Sequence, residues 1–222
     1  MPKFIILVLI LLLAACQPLP ATDIRTPVEP LKIAVPDSLS WMGPDFASCA
    51  AEVGVAVQIV DEAVTSDELI RLRLGTPDTI GYTAVLGQDH LAVIVHPDNP
   101  EQELSLETLK EFFSGQLKNW PDQSETQIWS LPLSSDVTAA LLAAGVNTSN
   151  TGLAPTARAM LDAVAHNSKA IGFIPARWVD ASVRVIQVKG LDVSLPILAT
   201  SKIEPQGSAR SWLVCLQGKI VQ

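Results

Sequence analysis

Leu91-Ala92-Val93-Ile94-Val95-His96-Pro97-Asp98-Asn99-Pro100 is the stretch that decides the class of fold. Residues 91–95 are all apolar, a run suited to a strand covered on both faces rather than one with a wet side. Asp98-Asn99-Pro100 breaks the run, since proline fixes φ and brings no N–H to a ladder. Behind it Ser105 stands where a helix cap belongs, and Leu106, Leu109 and Phe113 share one helical face until Gly115 ends the helix. A doubly covered strand followed by an amphipathic helix is the repeating unit of α/β proteins.

The alternation extends outward in both directions. Upstream, Leu31–Val35 reads as a strand closed by Pro36, and Asp37 to Trp41 as a turn. Pro44 suits the first turn of a helix whose apolar face is Phe46, Cys49, Ala50 and Val53, ended by Gly54. Val55–Val60 is a second strand. Ser66 as cap and Gly75 as stop frame a helix over Asp67–Leu74, and Thr79–Val85 is a third strand. Downstream, a strand at Trp129–Leu133 leads to a helix opened by Ser134-Ser135-Asp136. A helix carrying Met160, Ala163 and Val164 follows Pro155. Strands at Ala170–Pro175, Val183–Val188 and Leu195–Ala199 precede a terminal helix that begins at Ser208. The expected class is α/β, with mostly parallel sheets flanked by helices.

The N-terminus carries an address. Lys3, an apolar run from Phe4 to Leu13, and Leu13-Ala14-Ala15-Cys16 form the basic start, short apolar core and small-residue end of a secretory signal. That run is too short to span a bilayer, which takes about 20 residues. Its ending resembles the lipobox of bacterial lipoproteins, where the Cys receives the lipid and becomes the new N-terminus. Residues 1–15 are therefore expected to be signal peptide, Cys16 the lipidation site and 16–30, with four prolines, a tether. The mature chain is expected to be extracytoplasmic, held to a bacterial membrane by its lipid. The formal charge is −8 and no basic run occurs, which excludes nucleic acid as a partner. Beyond Cys16 the cysteines are Cys49 and Cys215; an exported compartment permits their disulfide, and the other reading is two buried thiols.

Two places carry a family resemblance. The strand that ends in Asn99-Pro100 is followed by Leu104-Ser105-Leu106-Glu107-Thr108-Leu109 and then by Phe113-Ser114-Gly115-Gln116-Leu117-Lys118-Asn119-Trp120. Further on stands Ala170-Ile171-Gly172-Phe173-Ile174. Both resemble the phosphate-type substrate-binding proteins of ABC importers. The resemblance implies a two-lobed periplasmic-binding-protein-like fold with two crossing strands, for which Leu91–Val95 and Val183–Val188 are the candidates. Lobe 1 would comprise 31–90 plus 186–222, and lobe 2 residues 91–185. It also implies a small anionic ligand (phosphate or another oxyanion) in the interlobe cleft, delivery to ABC importer membrane subunits, and no cofactor.

Transferred position by position, the ligand loops fall on Ser38, Ser40 and Trp41 after the first strand and on Gly81, Tyr82 and Thr83 after the third. In the other lobe they fall on Ser134, Ser135 and Thr138 at a helix start. Helix N-termini hold anions through free N–H groups. The family's Arg and Gly are absent from this last place, and Asp136 adds a negative charge there. The alternative is a receptor-like lipoprotein that serves as a sensor or interaction domain without transport. His90, His96 and His166 are scattered, and no nucleophile–base or metal-ligand spacing occurs, so neither an enzyme nor a metal site is expected.

Overall fold

The computed structural model describes residues 29–76 and 81–220. The signal segment, Cys16, nearly all of the tether and the start of the strand expected at Thr79 lie outside the described residues. In chain order the elements are β1 Leu31–Ala34, a 3-10 turn Asp37–Met42, α1 Gly43–Val53, β2 Val57–Val60, β3 Ile70–Leu74 and β4 Tyr82–Val95. Next come β5 Glu103–Ser105, α2 Leu106–Ser114, β6 Gln127–Ser130, α3 Asp136–Ala143, β7 Gly152–Leu153, α4 Ala157–Ala165 and β8 Ala170–Pro175. A 3-10 turn Ala176–Trp178, β9 Arg184–Val185, β10 Gln187–Lys189, β11 Ser194–Ser201 and α5 Gly207–Ile220 complete them.

The strands form one curled sheet in the order β2-β1-β3-β11-β4-β8-β6-β7, with β9 also on β4; β5 and β10 pair separately. Parallel pairs occupy the flanks: β1 with β2 and β3, and β6 with β7 and β8. The centre is antiparallel, where β4 meets β11 and β8. β4 joins the two halves. Tyr82–His90 pairs with β11, and Leu91–Val95 pairs with β8. Thus the strands expected at Thr79–Val85 and Leu91–Val95 are the two ends of one strand. The return crossing also differs from expectation. Val183–Val188 splits into β9 on β4 and β10 on β5, and β11 carries the chain back beside β4.

One expected helix is a strand. Ser66 and Gly75 look like helix cap and stop, yet Ile70-Arg71-Leu72-Arg73-Leu74 alternates apolar and charged side chains. That period of two suits a half-covered strand. Ile70, Leu72 and Leu74 are buried, while Arg71 and Arg73 stand on the other face.

The residues that carry the family resemblance serve the fold as caps, turns and core. Ser105 Oγ accepts the Thr108 N–H at 3.0 Å and caps α2. Phe112 and Trp120 rings lie 4.9 Å apart, and Trp120 Nε1 donates to the Lys169 carbonyl at 3.0 Å. Gly115 ends α2 at φ +78°, where a Cβ would sit 2.3 Å from Asn150 Nδ2. The buried Asn99 caps its own turn, Oδ1 accepting the Glu101 N–H at 3.0 Å. Cys49 on α1 and Cys215 on α5 are joined by a disulfide, which fastens the last helix to the first. Among the described residues no helix is long and apolar enough to cross a membrane.

Candidate functional site

A cleft of about 360 Å³ opens between the two halves of the sheet. Its first wall is built by β1, β3 and the segments that follow β1 and β2. Pro36 ends β1 and turns the chain into the 3-10 turn, which presents Asp37 and Ser38. Pleating puts Arg71 and Arg73 on the cleft side of β3, and Glu62 lies beyond the end of β2. The second wall consists of two helix starts, Ser134, Ser135 and Asp136 at α3 and Pro155, Thr156 and Ala157 at α4. Ser135 Oγ accepts the Val137 N–H at 3.3 Å and Thr156 Oγ1 accepts the Ala159 N–H at 3.1 Å, so each cap fixes the start of its helix at the cleft wall.

The walls hold each other. Arg73 Nη2 donates to Asp136 Oδ1 at 2.7 Å, and the Leu74 N–H donates to Asp136 Oδ2 at 3.1 Å. Across the same space Asp37 Oδ2 accepts the Ala157 N–H, the first of α4, at 3.0 Å. A carboxylate at a helix N-terminus is favoured by the positive end of the helix dipole. Arg71 Nη1 donates to the Glu62 carbonyl at 2.5 Å and Nη2 to the Val64 carbonyl, which fixes its guanidinium on the loop after β2. Behind the cleft the crossing region grips the same turn: Trp178 Nε1 donates to the Ser38 carbonyl at 2.9 Å, and the Arg177 guanidinium lies 4.9 Å over the Trp41 ring.

Of the residues nominated from sequence, Ser38, Ser134 and Ser135 line this cleft together. Ser40 is exposed and outside it, and Trp41 packs against the core under Arg177. Thr138 is fully buried and donates to the Leu131 carbonyl at 3.2 Å. Tyr82 and Thr83 are paired with Ser201 and Thr200 of β11. Gly81 has φ +100°, and a Cβ there would stand 2.4 Å from the Ser201 carbonyl oxygen, so its lack of a side chain answers a backbone demand. Sequence reasoning missed Arg71 and Arg73, which a helix over 67–74 would have scattered round its surface. The alternating pattern Ile-Arg-Leu-Arg-Leu was the signal that could have found them. The absent Arg of α3 thus has a counterpart: Asp136 takes its cation from β3.

One titratable group sits at the crossing. Asp89, in β4 and 3% exposed, accepts the His90 N–H at 2.8 Å and lies 3.5 Å from the Arg177 N–H. Burial raises its pKa above the ordinary carboxylate range, against the opposing pull of those two N–H groups. Among the described residues no group of His, Cys, Asp and Glu is arranged to hold a metal ion.

A model of the PBP superfamily domain matches residues 55–202. The chain belongs to the PBP superfamily. No curated protein matches it. Among solved structures, the PBP chain is similar to a phosphate-type ABC transporter substrate-binding protein from Clostridium perfringens, with phosphate bound. Their identity is 21% and TM-score 0.68, over 85% of this chain and 93% of that one. It is similar to an ABC-type phosphate transport receptor from Vibrio cholerae, at 19% identity and TM-score 0.64, over 85% and 93%. The regulatory domain of MetR, a LysR family regulator from N. meningitidis, shares the fold at 16% identity and TM-score 0.63, over 86% and 94%. The two-lobed α/β fold expected from the sequence is therefore the fold of this PBP chain.

Proposed function

We propose that this PBP-superfamily chain is a lipid-anchored, extracytoplasmic solute-binding protein. It captures a small ligand bearing an anionic group, such as phosphate or another oxyanion, in the interlobe cleft and delivers it to an ABC importer. The observation that carries this reading is the opposition of Arg71 on β3 to the starts of α3 and α4 across one cleft. Guanidinium groups and helix N-termini both suit an oxyanion, the first by paired N–H donors and the second by free backbone N–H groups. The phosphate receptors named above, which share the fold, support the ligand class. We assign residues 31–90 plus 186–222 to lobe 1 and 91–185 to lobe 2; the change of β4's partner between His90 and Leu91 supports the boundary there. Cys16 as lipid attachment and 16–30 as tether would keep the cleft beside its importer. The role is binding, not catalysis.

The test is a thermal-shift screen of the mature protein against phosphate, sulfate, molybdate, tungstate and small organic anions. A ligand at a hundred times its Kd adds about 2.7 kcal/mol of stability, a shift of several degrees. No shift with any compound overturns the reading. The ion pair between the cleft's own walls favours one second reading, a sensor or interaction lipoprotein without transport. Co-purification of importer membrane subunits from detergent-solubilised membranes separates the two.

A further inference from the structure

We infer that the ligand is a small zwitterion, its anionic group held at Arg71 and its ammonium group at Asp37. This rests on the solute-binding reading and narrows its substrate class. The charged side chains lining the cleft are Arg71, Arg73, Asp37, Glu62 and Asp136. Arg73 and Asp136 neutralise each other at 2.7 Å. What is left is bipolar. Arg71 is held by two backbone carbonyls, which orient its guanidinium and leave its positive charge without a counter-ion among the described residues. Asp37 has one partner, the Ala157 N–H on Oδ2; its other oxygen has none among the described residues, and neither has the Glu62 carboxylate.

The helix starts sharpen the contrast. At α4 the Ala157 N–H already serves Asp37 and the Ala159 N–H already serves Thr156. Two of the donors that would draw an anion to that end are thus used, and a carboxylate stands in front of them. A group that carries only negative charge is repelled there, whereas an ammonium gains a charge-assisted hydrogen bond. The distance is right for one small molecule. Arg71 is the register partner of Ala34, about 5 Å away across the ladder, and Asp37 follows Ala34 by three residues, so their backbones lie within about 16 Å and both side chains line the same cleft. The volume of about 360 Å³ falls in the usual range for small-molecule sites, about 300–1,000 Å³, and exceeds what a five-atom oxyanion fills.

Matched pairs of probes test this, each pair sharing an anionic group and carbon chain and differing by an ammonium: ethyl phosphate and phosphoethanolamine, ethanesulfonate and taurine, propionate and β-alanine. Thermal shift and calorimetric titration of the mature protein should show at least one zwitterion binding about tenfold more tightly than its parent anion. Asp37→Asn, which keeps an oxygen for the Ala157 N–H, should abolish that preference while parent-anion binding is retained or improved. Simple anions binding as well as or better than their zwitterionic partners would overturn the inference and leave the solute-binding reading standing. So would an Asp37→Asn variant with an unchanged preference. Failure of both classes to bind would overturn the two together.

Discussion

Arg73 and Asp136 meet across the cleft from positions 63 residues apart. Each changes what the other can do, because a paired guanidinium offers less to a ligand and a paired carboxylate repels one less. Arg71 is the residue whose charge stays available, so Arg71→Ala is expected to weaken anion binding by about 1.5–3 kcal/mol, read by calorimetry, with little change in Tm. Thr138 lies against the same helix but is wholly buried. Thr138→Val should cost about 1 kcal/mol of stability, through the lost bond to the Leu131 carbonyl, and leave ligand affinity unchanged. Asp89 gives a pH dependence. Its folded-state pKa is raised, so its contribution to stability is fully present below the ordinary Asp range and is lost as pH rises through the raised value. Asp89→Asn keeps an acceptor for the His90 N–H. Denaturant titrations from about pH 4 to pH 7 should show the wild type losing stability relative to this variant as pH rises. Equal slopes would mean that Asp89 does not titrate in that window.

At the scale of elements, legibility tracked how far each signal is local. β8 has the bounds the sequence suggests, since Ala170–Pro175 is a continuous apolar run buried along its whole length. The α2 cap at Ser105 was legible for the same reason. At β3 two local signals conflicted: a Ser-to-Gly frame said helix and the alternation of Ile70 to Leu74 said strand. Pairing with β1 and β11 decided it, and the sheet brought two arginines onto one face. β4 shows the other limit. Its fourteen residues form one strand because β11 holds the first part and β8 the second, neighbours more than 75 residues away in the chain. The disulfide between α1 and α5 likewise needed the fold to decide between a bond and two thiols. Cys49→Ser with Cys215→Ser, or reduction, should lower stability by about 2–5 kcal/mol in thermal or denaturant unfolding. An unchanged midpoint would show that core packing alone holds the terminal helix.

For the whole molecule, the fold was legible and the site only partly so. Of the residues with a strong family pattern, Ser105 and Gly115 cap and end α2 while Phe113 and Trp120 fill the interior, and caps and interiors impose sharp demands that leave marks in sequence. The cleft is assembled from short segments of both halves, and its charge balance exists only after they meet. The proposed lipid anchor belongs to this scale as well: Cys16→Ser is expected to move the protein from the membrane to the soluble extracytoplasmic fraction, measured by fractionation. The central claim is that the cleft holds a small ligand through Arg71. Calorimetric titration of the wild type and Arg71→Ala with phosphate, sulfate, phosphoethanolamine and taurine tests it most directly. The account predicts saturable one-to-one binding of at least one compound by the wild type, weakened at least about tenfold in the variant. Absence of saturable heat from all four, or equal affinity in the two proteins, would contradict it.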